Sequence, residues 1–72
     1  MKIVKYGIVI ETGEHNCSAY VPDLPGCIAT GATIQETKDR IREAIKAHLE
    51  GMREDGDPIP TPKTICDCVD VA

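Results

Sequence analysis

The sequence has no phenylalanine and no tryptophan, and only two tyrosines among 72 residues. Without large rings, a core has to be assembled from thin aliphatic layers, and the apolar 42% of the chain is supplied chiefly by Ile, Val, Ala and Leu. A chain this short buries only about 60% of the surface its unfolded form exposes. It therefore supports one domain, residues 1–72, built as a single small sheet covered by one helix. A second copy would supply the burial it lacks, so a homodimer is expected.

Basic residues are scarce as well, with 8 Lys and Arg against 12 Asp and Glu and a net charge of −4. No run of cations can track a phosphate backbone, which argues against direct DNA or RNA binding and for a basic partner. Long apolar runs are missing too. The opening "MKIVKYGIVIETG" is interrupted at Lys5 and Gly7, too soon for a signal h-region and far short of a bilayer span. The expectation is a cytoplasmic protein without membrane contact, whose four cysteines at 17, 27, 66 and 68 stay reduced.

What is present reads as alternating strands and one helix. Residues 2–10, "KIVKYGIVI", form the first expected strand, "ETGEHN" a loop bending at Gly13, "CSAYV" the second strand, "PDLPG" a turn and "CIATG" the third. In that turn Pro22 and Pro25 fix φ, and Gly26 is free to take a positive one. A loop centred between Gly13 and Glu14 sets Ile10 opposite Cys17, and a turn centred on Leu24 sets Val21 opposite Cys27. One face then collects Val4, Tyr6, Ile8, Ile10, Cys17, Ala19, Val21, Cys27 and Ala29 as core. The other, carrying Ile3, Lys5, Gly7, Val9, Ser18, Tyr20, Ile28 and Thr30, is mixed enough to meet a partner.

"TIQE" is a capping box, with Thr33 accepting from the backbone at position 36 and Glu36 reaching back to the cap residue. Beyond it Ile34, Ile41, Ile45, His48, Leu49 and Met52 fall on one helical stripe, flanked by Thr37 and Ala44. Glu36, Glu43 and Glu50 form a row on the opposite face beside a basic edge of Arg42, Lys46 and Arg53. Gly56 marks the stop, "DPIPTP" is extended, and "TICDCVDV" has the β-branched character of a last strand. The expected fold is α+β, in the order βββαβ. A right-handed crossover lays the fourth strand parallel to the first, giving one mixed four-stranded sheet in the order 3-2-1-4 with the helix on one face.

Chemistry-bearing patterns are weak. Cys66-x-Cys68 has one intervening residue where structural zinc uses a C-x₂₋₄-C chelate, and thiols two apart on a strand lie about 6–7 Å from one another. Small buried or half-buried cysteines account for all four, and His48 reads as a core histidine on the helix stripe. No nucleophile stands beside a base, and no Lys-Ser or Lys-Thr follows Gly26 and Gly31 as a phosphate loop requires. The strand order is similar to the start of the ribonuclease H fold, but strand one has no acid before Glu11. The carboxylates at Glu36, Glu43, Asp67 and Asp70 lack that central partner for a two-metal site. No cofactor, no metal and no enzymatic activity are expected.

Taken together, "SAYVPDLPGCIATGATIQET" and "IREAIKAHLEGMREDGDPIPTP" resemble the HicB antitoxin family, specifically its toxin-neutralising domain. The motif elements are Ala19, the run from Pro22 to Cys27, Gly31-x-Thr33, Glu36, Glu43-Ala44-Ile45 and Gly56-x-Pro58-Ile59-Pro60. Ala32 and Thr37 depart from the family pattern, which often has an acid and an alanine there. The resemblance implies a partly degraded ribonuclease H fold and a small basic HicA-type ribonuclease toxin as partner, neutralised by covering its active site. The C-terminal DNA-binding module common in the family has no counterpart in this sequence, so promoter binding is not carried over. Tyr20, Asp23, Glu36 and Glu43 are the expected toxin contacts, as exposed groups near the turn and on the outward helix face. The competing readings are an orphan self-associating structural domain and a thiol or metal module.

Overall fold

A computed structural model describes residues 3–72; Lys2, the first residue of the expected first strand, lies outside the described residues. The elements run β1 (Val9–Thr12), β2 (Cys17–Tyr20), β3 (Ile28–Gly31) and α1 (Ile34–Glu54). The three strands form one antiparallel sheet in the order β1-β2-β3. The fold is thus βββα, and the expected four-stranded mixed sheet is corrected: among the described residues "TICDCVDV" contributes no strand.

Two causes shorten the sheet, one local and one reaching across the chain. In the first hairpin Val9 pairs with Tyr20 and Thr12 with Cys17. The chain beyond Tyr20 turns away at Pro22, which has no N–H to give, so residues 3–8 overhang the end of β2 without a partner strand. At the other end of the chain Pro58, Pro60 and Pro62 donate nothing, and the next two amides, Lys63 and Thr64, are both taken by the Asp23 carboxylate. A ladder cannot begin before Ile65.

The first loop is Gly13–Asn16, closed by the Gly13 amide donating to the Asn16 carbonyl at 2.8 Å. Its centre lies one residue later than the sequence suggests, so Ile10 faces Ala19 and not Cys17. A slip of two leaves side-chain parity intact, and the face assignments survive it. The second hairpin has the expected register, Ala19 opposite Ala29. On the core face Cys17, Ala19, Val21 and Cys27 are buried, with Tyr6, Ile8, Ile10 and Ala29 packed against them. Val4 is exposed at the far end of the overhang. On the outer face Val9, Tyr20 and Ile28 form one row across the sheet.

The turn between β2 and β3 is two turns in succession. The Leu24 amide donates to the Val21 carbonyl at 3.0 Å and the Cys27 amide to the Leu24 carbonyl at 3.1 Å. Each has proline at its second position, and in the second Gly26 follows with φ +84°, the positive value a type II turn requires. Leu24, between them, is directed inward and fully buried.

α1 starts where the sequence places it: the Thr33 side chain accepts from the Glu36 amide at 3.0 Å. The Glu36 carboxylate does not return to the cap but pairs with Arg40 at 2.8 Å. The Gly56 amide donates to the Arg53 carbonyl and the Asp57 amide to the Met52 carbonyl, with Gly56 at φ +75°. That is a Schellman stop. Ile41 and Leu49 are buried on the sheet side, whereas Ile34 is 53% exposed at the helix entrance. Thr37, a flanking position by periodicity, is fully buried. It donates to the Thr33 carbonyl at 2.7 Å and lies so close to β3 that a Cβ on Gly31 would stand 2.6 Å from its Oγ1.

Removing most of the Leu24 side chain should cost about 2–5 kcal/mol, a large part of what a chain of this size possesses. Urea denaturation should find Leu24→Ala largely unfolded or close to it, and Ile34→Ala within about 1 kcal/mol of the parent.

Candidate functional site

The Pro-Asp-Leu-Pro-Gly turn carries more than a reversal of direction. With Pro22 and Pro25 holding φ and Leu24 anchored in the core, Asp23 is fixed half-buried at the turn's outer side. Its Oδ2 accepts from the amides of Lys63 and Thr64, both at 3.1 Å, and its Oδ1 from the Thr64 hydroxyl at 3.1 Å. Donation by the Thr64 and Lys63 amides holds the Asp23 carboxyl below the ordinary carboxylate range. A second tie lies nearby, where the Tyr6 hydroxyl donates to the Pro60 carbonyl at 2.6 Å. Burial, together with the neighbouring Asp23 charge, raises the Tyr6 pKa, so the phenol remains a donor.

These bonds lay the segment after the helix against residues 6–8. A Cβ on Gly7 would come within 3.1 Å of Cys66 Sγ, and the Cys66 thiol donates weakly to the Ile8 carbonyl at 3.8 Å. The absence of a side chain at position 7 permits this approach.

The four residues expected to contact a partner do not converge. Tyr20 is exposed on the outer sheet face, Asp23 is engaged with the chain's own tail, and Glu36 and Glu43 stand on α1, which packs on the opposite side of the sheet. Glu36 pairs with Arg40, Asp39 with Arg42 at 3.3 Å and Glu43 with Lys46 at 3.3 Å, all at exposed positions. Such pairs contribute a few tenths of a kcal/mol each and exchange partners readily. Arg40 also caps the last strand, donating to the Thr30 carbonyl at 3.1 Å.

Cys17 and Cys27 are buried, Cys66 and Cys68 exposed, and all four are free thiols. Burial pushes the Cys27 thiol up, away from nucleophilic reactivity. Among the described residues no group of three or more His, Cys, Asp or Glu is placed to hold a metal ion. No described helix is long and apolar enough to cross a membrane.

Sequence reasoning missed the inward Leu24 and the role of Asp23. An apolar residue flanked by prolines was the available signal for the first. The second had no local signal, because Asp23 and Thr64 are 41 positions apart.

Comparison with known proteins agrees with the motif. The HicB-like antitoxin of bacterial toxin-antitoxin systems matches residues 6–71. An uncharacterized 14.9 kDa protein from the rep-hol intergenic region of Haemophilus phage HP1 is 40% identical over 60 residues, covering 83% of this chain and 45% of the phage protein. The chain thus spans under half of that relative. A UPF0150 protein of Thermoplasma acidophilum is 36% identical over 79% of this chain and 84% of its own length. Another from Archaeoglobus fulgidus is 39% identical over 75% of this chain and 83% of its own length. No solved structure gives a significant match.

The Asp23 clasp has a defined acid limit. Its carboxyl is depressed in the folded state, so its contribution is complete above the unfolded value of about 3.9 and is lost as pH falls through the lower folded value. In an NMR titration the Lys63 and Thr64 amide resonances should move together with a midpoint below about pH 3.9. Asp23→Asn should abolish that titration; an unchanged titration in the variant would disprove the clasp.

Proposed function

The chain belongs to the HicB-like antitoxin family of bacterial toxin-antitoxin systems, and on that premise we propose that it neutralises a small basic HicA-type ribonuclease by covering the toxin's active site. The observation that carries the reading is the solvent-facing acidic side of α1. Glu36, Asp39 and Glu43 are held there by exposed contacts with side chains of the same helix, Arg40, Arg42 and Lys46, with Gln35 also donating to Asp39 at 3.0 Å. A toxin built to hold polyanionic RNA presents a denser array of cations than α1 does and competes for those carboxylates. Charge of this kind speeds encounter more than it slows departure.

Tyr20 offers a flat amphipathic side chain on the outer sheet face, 42% exposed, in a row with Ile28. Asp23 contributes in this reading by holding the tail in place rather than by touching the toxin, since its oxygens are already bonded. The domain acts in the cytoplasm, as a homodimer and not as an enzyme, and it binds no DNA directly.

The test is inhibition of a small basic HicA-type ribonuclease, sought in the reading frame beside this chain's own. Glu36→Lys with Glu43→Lys should raise the inhibitory concentration by about tenfold or more at low salt, mainly through a slower on-rate. The gap should narrow as salt rises. Both positions are away from the buried stripe, so circular dichroism should remain that of the parent. Equal inhibition by parent and variant would remove the helix face from the mechanism, and no binding by the parent would overturn the function.

A further inference from the structure

A groove of about 840 Å³ runs between the overhanging residues 3–8 and α1. It exists because α1 packs chiefly on β3 and β2 and leaves the extension of β1 uncovered. Its floor is apolar, formed by Ile8, Ile41, Ile45 and Leu49. Its rim is basic: Lys5, Lys38, Arg42, Lys46 and Arg53 line it, with Glu50 as the acid among them. In a chain of net charge −4 this is a local reversal of sign. Arg42 and Lys46 pair with Asp39 and Glu43 on the helix surface, while Lys5, Lys38 and Arg53 have no ion pair among the described residues.

The complement of such a groove occurs in the same chain. Residues 65–71, "ICDCVDV", set Ile65, Val69 and Val71, exposed at 87%, 85% and 89%, beside Asp67 and Asp70. Neither aspartate has an ion-pair partner among the described residues. The lengths agree: seven extended residues cover about 23 Å, and α1 from Lys38 to Arg53 rises about 22 Å. The chain's own tail does not lie there. Side chains alternate along residues 6–8, so Tyr6 and Ile8 line the groove while position 7 points the other way, toward Thr64 and Cys66. The overhang thus separates each tail from its own groove.

We propose that residues 65–71 of one copy lie in the groove of a second copy, and reciprocally, so that two tails exchanged about a two-fold axis make the homodimer. The exchange draws Cys66 off its weak contact with the Ile8 carbonyl and sets Ile65, Val69 and Val71 on aliphatic floor residues, with Asp67 on the same face of the tail toward the cations of α1 and Asp70 on the other face. Because both contacts are identical under the two-fold, the assembly closes at two copies. The inference rests on the self-association proposed above and is independent of the toxin: sedimentation reads it without a ribonuclease present, so its failure leaves the inhibition assay to stand or fall alone.

The experiment uses the full chain and two charge-reversed variants, Asp67→Lys/Asp70→Lys in the tail and Lys5→Glu/Lys38→Glu in the groove. Analytical ultracentrifugation should show the parent as a dimer at high micromolar concentration and each variant alone with its dimer dissociation constant raised about tenfold or more. Mixed one to one, the two variants should recover a dimer, because each groove then meets a tail of opposite sign. Rescue on mixing also excludes a tail folded onto its own groove, which mixing cannot repair. If lysine at both tail positions disturbs the fold by circular dichroism, Asp67→Asn/Asp70→Asn weakens the same contact without reversal. A monomeric parent, a dimer that neither variant weakens (contact through the Tyr20 and Ile28 face), or weakened variants that mixing fails to rescue would each overturn the exchange.

Discussion

Two successive turns, each closed by one backbone hydrogen bond across a proline, carry Leu24 into the interior. Most of the molecule is referred to that point. The turns fix the register of β2 against β3, which sets Gly31 opposite Cys17 and brings the helix cap at Thr33 next to the sheet. With Leu24 pointing inward, Asp23 is obliged to point outward, and its carboxylate then gathers the chain that follows the helix. In a domain without phenylalanine or tryptophan, a single leucine reaching in from a loop supplies the volume that an aromatic ring supplies elsewhere.

How much of this could be read in advance depends on the range of the interaction concerned. The Thr33 cap, the Gly56 stop and the Ile41 to Leu49 stripe are set by residues within a turn or two of one another, and the sequence states them directly. The first hairpin slipped by two because "ETGEHN" contains no pair of residues that dictates a two-residue turn, yet parity protected the face assignments. The fourth strand failed for a reason outside any local window. "TICDCVDV" has strand-forming residues, but its first amide, Thr64, and that of Lys63 just before it are taken by a carboxylate 41 and 40 positions earlier. Propensity describes what a segment accepts, and hydrogen-bond partners decide what it does.

The acids and bases are sorted rather than scattered. Carboxylates dominate the solvent side of α1, while cations of the same helix rim the groove along residues 3–8. The basic edge was visible as periodicity, but that it borders a cavity depends on where β1 loses its partner, which only the turn at Pro22 determines. One helix thereby presents two surfaces of opposite sign, and an acidic domain keeps a place where it can receive acid. Of the expected contact residues, the two glutamates and Tyr20 remain at the surface, whereas Asp23 belongs to the architecture.

The approach of Thr37 to Gly31 ties two distant choices in the sequence together. No side chain can be added at position 31 while a β-branched hydroxyl residue fills position 37, because the new carbon would overlap both its Oγ1 and its amide nitrogen. Any lineage that places alanine at 31 has to withdraw the helix from the third strand, which would also draw the Thr33 cap away from it. Shortening residue 37 would relieve only the overlap with Oγ1, since its amide nitrogen would still stand 2.8 Å from the added carbon; glycine at 31 is therefore needed whatever side chain 37 carries, because the backbone of the helix's first turn closes that position.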